Sequence, residues 1–207
     1  MNRSIVLIPV VAALILMVVW LTTLPDSLVV YCAHDAVYAK EILHGGSHTF
    51  GFLMGASGMG ALTGALYLAS RKNITGLDKL IPWAAVIFGT GLILFSFSNI
   101  FVLSLGLMVI VGLGMMLQMA SSNTLLQTIV EDDKRGRVMS FYTMAFMGTA
   151  PFGSLLAGSS AKFIGVPNTI LVGGISCILG ALFFSRKLPE ITKVLLQTSI
   201  KSKKHGN

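Results

Sequence analysis

The chain has 207 residues, of which 54% are hydrophobic and only 11% charged, with a mean hydropathy of +0.82 and a formal net charge of +7. That apolarity exceeds what a globular domain carries, which excludes a water-soluble enzyme or binding module as the first reading and makes lipid the solvent for most of the chain. The basic excess must then reflect membrane topology or a polyanionic partner, and its placement along the chain decides for topology.

Charged residues cut the sequence into uncharged runs: Ser4 to Pro25, Ile42 to Ser70, Leu80 to Val130, Val138 to Ala161 and Phe163 to Ser185. A helix crosses the hydrocarbon with about 20 apolar residues. The third run is long enough for two crossings, with the polar pair Ser98-Asn99 as the turn between them. None of the runs has the alternation of a barrel strand. The expectation is an all-α integral membrane fold of six spans, at about residues 4–25, 48–70, 80–98, 100–122, 138–161 and 166–185. They form a membrane domain over 1–189, followed by a basic tail at 190–207.

In chain order, Arg3 opens an apolar run that is longer than a signal-peptide core and has no Ala-x-Ala site after it, so it reads as a retained span. His44 and His48 have the spacing of a zinc pair, but Gly45 and Gly46 lie between them and no acid or cysteine completes a site. Cys32 and Cys177 are far apart, and Cys177 lies within the sixth span, so no disulfide framework is expected. The second span carries small residues at Gly51, Gly55, Gly58, Ala61 and Ala65, a stripe along which backbones approach closely. The fifth span repeats the idea with Gly148, Gly153, Ala157 and Gly158 and sets Pro151 in mid-helix, where a bend is expected. Before it stands the charged stretch EDDKRGR, residues 131 to 137, which reads as a solvated loop anchored at the membrane surface and not as a catalytic cluster. No phosphate loop, nucleophile elbow or Cys-x-x-Cys pair occurs, and no catalytic residue, metal or cofactor is expected.

If six spans alternate sides, one side receives all of the 15 basic residues except Lys40 and Lys162. The positive-inside rule then puts both termini in the cytoplasm. The tail, with Lys193, Lys201, Lys203 and Lys204, faces anionic headgroups, and nucleic acid is not an expected partner. The second and fifth spans also resemble each other: Gly55 and Gly60 match Gly148 and Gly153 in separation. The two spans are offset by three, an odd number, so the two stretches cross in opposite directions, as in a three-plus-three inverted repeat.

Three segments together resemble the C-terminal six-helix half of a major facilitator superfamily transporter, in the branch similar to the enterobactin exporter and drug-efflux proteins. They are HGGSHTFGFLMGASGMGALTGALYLASRK from His44, SNTLLQTIVEDDKRGRVMSFYTMAFMGTAPFGSLLAG from Ser122, and GVPNTILVGG from Gly165. The resemblance implies an export permease working by alternating access on a small molecule, in a bacterial inner membrane. It also implies roles. Gly64, Arg71, Lys72 and Gly76 fit the superfamily's cytoplasmic loop motif, although the acidic residue usual there is absent; Arg135, Gly136 and Arg137 match the loop before the fifth span. Gly148, Pro151, Gly153 and Gly158 resemble the Gly-Pro pattern of a sliding helix. Trp20 in the first span and Gln118, Asn123 and Gln127 in the fourth become candidate pathway residues, and an interfacial position fits Asn123 and Gln127 as well.

The superfamily has twelve spans with its substrate site between two halves, so the chain is expected to need an N-terminal half or to self-associate. The segment YCAHDA, at Tyr31 to Ala36, replaces an apolar stretch of the family, as a pair of compensating reading-frame shifts would. A half-permease, a non-transporting remnant or assembly protein, and a membrane enzyme using His34, Asp35, His44 or His48 remain as readings, the last disfavoured because no span carries a buried acid/base pair.

Overall fold

The computed structural model describes residues 47–71, 76–130 and 132–205. The first predicted span, Trp20, His34, Asp35, His44, Lys72 and the YCAHDA segment lie outside them. Five helices follow one another: α1 (Ser47–Ser70), α2 (Leu77–Ser96), α3 (Phe101–Ile129), α4 (Asp132–Ile164) and α5 (Val166–His205). There is no strand among the described residues.

The turns are short, and two need glycine. Gly76 caps α2 at φ 90°, with its carbonyl accepting from the Leu80 N–H at 3.1 Å. Gly165, at φ 83°, is the single residue between α4 and α5; its N–H donates to the Ala161 carbonyl and its own carbonyl accepts from Thr169. An L side chain clashes with its own backbone at such φ values, so these reversals are set locally. The turn from α2 to α3 is closed by the buried pair Ser98 and Ser104, whose hydroxyls lie 2.9 Å apart.

α3 lies between α1 and α2, α2 packs in turn on α5, and α4 packs mainly on α5. The common core joins Leu53 and Ala56 of α1, Phe88 and Leu92 of α2, Met108 and Val111 of α3, and Ile170 and Cys177 of α5. The close approaches give the directions of the helices. Gly60 and Gly64 of α1 meet Val109 and Leu113 of α3 in the same order, so these two run parallel, whereas Gly91 and Phe88 of α2 meet Val111 and Gly114 in reverse order. α5 runs against α2, with Gly174 on Gly89 and Cys177 on Ala85. The ends of α1 and α3 and the start of α2 therefore share one end of the bundle, where Arg71, Lys79 and Arg135 stand.

Large apolar side chains cover the outside: Trp83, Val102, Phe152 and Phe163 are all more than two thirds exposed. In water such a surface would aggregate; in lipid it costs nothing. α1, α2, α3 and α5 are each long and apolar enough to cross a membrane, while α4 is long enough and less apolar. α5 continues as one helix of 40 residues through the segment expected to be a separate tail. At about 1.5 Å per residue it is about 60 Å long, twice the hydrocarbon thickness.

Candidate functional site

Helix geometry separates the three α3 residues expected to line one pathway. Gln118 is 2% exposed. Asn123 and Gln127 lie about 140° and 180° around the helix from it, and there Gln127 Nε2 donates to Asn123 Oδ1 at 3.0 Å on a more open face. One face of α3 does not present all three: Gln118 is buried in the bundle, and Asn123 and Gln127 lie on the other side of the helix.

The glycines divide in the same way. On α1 the buried positions are Leu53, Ala56, Gly60 and Gly64, spaced as one helix face. A Cβ on Gly60 would run into the Val109 carbonyl, and one on Gly112 of α3 into the Ser57 carbonyl, so the two backbones touch. Gly51, Gly55 and Gly58, the expected packing stripe, lie on the opposite side, and nothing among the described residues stands within 4 Å of a Cβ added there. Among the described residues, the close approach of α1 and α3 belongs to Gly60, Gly64 and Gly112, and Gly51, Gly55 and Gly58 are exposed.

At the basic end, Gly64 lies under the Leu113 carbonyl, 3.2 Å from the position of an added Cβ. The Arg71 guanidinium sits 5.9 Å from the Tyr67 ring centroid, a cation–π contact. Arg135 Nε donates to the Gln127 carbonyl at 3.2 Å, closing the last turn of α3, whose terminal carbonyls have no helical donor. Gly136 and Arg137 are exposed beside it. Further along α4, Gly148 and Pro151 are exposed, Gly153 is buried and Gly158 is half-buried.

An open depression of ≈ 520 Å³ runs along α4, lined by Gly136, Met139, Ser140, Thr143, Met144 and Met147. Their i, i+3, i+4, i+7 spacing is the signal by which the sequence could have pointed to them. Three flexible thioethers stand there beside two hydroxyls. His48 is exposed, and no group of three metal-ligating side chains occurs among the described residues.

The family described as transmembrane secretion effector matches residues 29–205. The chain is similar to the staphyloferrin A transporter of Staphylococcus aureus, 28% identical over 155 residues, which cover 73% of this chain and 38% of that protein. It is similar also to an uncharacterised MFS-type transporter, YfmI, of Bacillus subtilis, 26% identical over 159 residues, covering 76% of this chain and 39% of the relative. The chain thus matches about two fifths of the length of these curated relatives. With its apolar, lipid-fitted exterior and this match over nearly its whole length, the chain belongs to the transmembrane secretion effector family of major facilitator superfamily transporters.

Proposed function

We propose that the chain is the C-terminal six-span half of an export permease that moves a small molecule by alternating access together with an N-terminal half. The observation that carries this reading is the share of each relative that is matched, 38% and 39%, by a chain matching its own family over residues 29–205. The relative named for staphyloferrin A makes a siderophore-type cargo the first to test, with drug-like molecules second. In this reading Gln118, Asn123 and Gln127 of α3 are the pathway candidates, with Gln118 the deepest in the bundle, and the Met139, Ser140, Thr143 and Met147 wall of α4 borders the pathway. The loop with Arg135, Gly136 and Arg137 is a cytoplasmic hinge on which α4 moves, with Gly148, Pro151, Gly153 and Gly158 along the sliding helix. Both termini face the cytoplasm of a bacterial cell, and residues 190–207 extend as a basic tail.

The test is to co-express the chain with a six-span N-terminal half and measure efflux of staphyloferrin A from cells. Efflux that needs both chains, and that falls when Asn123→Ala and Gln127→Ala are combined, supports the proposal. Two inserted halves that neither co-purify nor export any tested cargo would refute it. The outward stripe of Gly51, Gly55 and Gly58 supports a second reading, a non-transporting protein that self-associates through α1. Under that reading Gly55→Leu abolishes a homo-oligomer seen by crosslinking in membranes, and no efflux accompanies it.

A further inference from the structure

Elsewhere α3 provides partners for its polar side chains. Ser104, fully buried, pairs with Ser98, and Thr128 donates to the Thr124 carbonyl at 2.8 Å. Three atoms depart from this pattern: Gln118 Oε1, Ser121 Oγ and Ser122 Oγ have no hydrogen-bond partner among the described residues, although their side chains are 2%, 0% and 1% exposed.

The three residues stand at i, i+3 and i+4, within an arc of about 100° of α3. Val111 and Gly114, which touch Gly91 and Phe88 of α2, lie on the same arc, so the three face α2. Because each step along α3 corresponds to one step back along α2, the register puts Gln118 level with Ala84 and Ser121 level with Ile81. Ala84 is fully buried and offers only a methyl group. The seam is therefore tight where Gly114 meets the Phe88 backbone, and one to two turns nearer the basic end it collects a carboxamide oxygen and two hydroxyls.

We infer that this section of the α2–α3 seam is a binding site for ordered water, seated on Gln118, Ser121 and Ser122. Water both donates and accepts, and a buried water takes about three hydrogen bonds, which matches two hydroxyls and a carboxamide oxygen. The absence of a carboxylate on this arc of α3 argues against a cation as the occupant. Such a wet section lets polar groups exchange partners when α3 shifts against α2, while the glycine contact keeps the helices together. The inference does not depend on the half-permease reading.

The test uses the full chain in lipid bilayers, with glutamine side chains nitrogen-labelled for water-edited solid-state NMR. The Gln118 carboxamide, assigned by the signal that Gln118→Leu removes, is expected to receive magnetisation from water as fast as exposed Gln127 does. Transfer at least several-fold slower, as in a dry core, would overturn the inference. Thermal unfolding in detergent gives a second readout. Ser121→Ala and Ser122→Ala should each lower the midpoint by about 2–4 °C, and the triple change with Gln118→Leu should recover part of that loss, because it removes the whole polar set. Single changes that raise the midpoint would mean a dry seam. A midpoint that rises when sodium replaces choline at equal ionic strength, and no longer does so in Ser121→Ala, would assign the site to a cation instead.

Discussion

Gly60→Ala and Gly112→Ala test the crossing of α1 and α3. A Cβ on Gly60 would lie 2.8 Å from the Val109 carbonyl carbon and 2.9 Å from the Leu113 nitrogen, and one on Gly112 would lie 3.0 Å from the Ser57 Cα. All of these neighbours are backbone, so no side-chain rotation relieves the contact. Carbon atoms are comfortable at about 3.5–4.0 Å, so α1 and α3 must separate by about 1 Å, and a gap of that size forfeits about a quarter to a half of the dispersion energy across the crossing. Overpacking of this kind costs about 1–3 kcal/mol. The assay is equilibrium unfolding of the purified chain in mixed micelles, with Gly55→Ala as control. The control position is open and mid-helix, so Gly55→Ala should not destabilise and is expected to stabilise by about 0.5–1 kcal/mol through helix propensity. In the double variant the losses should fall short of additive, because one separation accommodates both methyl groups. If Gly55→Ala cost as much as Gly60→Ala, the outward stripe would be the packing face and the reasoning would fail.

Other outcomes follow from the same geometry. Gly89 and Gly174 each lie with an added Cβ 2.8 Å from the other's carbonyl oxygen, so either alanine variant should destabilise the α2–α5 contact, and the pair should be less than additive in the same unfolding assay. Gly76→Ala must hold φ near 90°, and a loss of about 1–2 kcal/mol is expected, with no such loss for Gly136→Ala. Ser104→Ala removes one of the buried Ser98 hydroxyl's bonds while its bond to the Ile100 carbonyl at 3.3 Å remains, so a loss of about 0.5–1.5 kcal/mol is expected, and Ser98→Ala with Ser104→Ala should be less than additive. Arg135→Gln removes the donor to the Gln127 carbonyl; hydrogen exchange should speed up several-fold over the last turn of α3 while the global midpoint stays in place.

Much of the plan was legible in the residues alone. Runs of about 20 uncharged residues can satisfy their backbone in lipid only as helices, and that fact, not propensity, makes α1, α2, α3 and α5 readable as apolar helices. The collection of Arg71, Lys79 and Arg135 at one end was readable too, because charge cannot stay in the hydrocarbon and must mark the ends of spans. Tertiary structure decided which face of each helix meets which neighbour. In a helix apolar all round, hydrophobicity singles out no side, and small residues on α1 occur on both: Gly51, Gly55 and Gly58 looked like the packing stripe, while Gly60 and Gly64 make the contact. For the same reason Gln118 could not be told from Asn123 and Gln127 by residue type. Only the positions of α1 and α2 around α3 send Gln118 inward, because polarity fixes how costly a side chain is in lipid, and packing fixes where that cost is met.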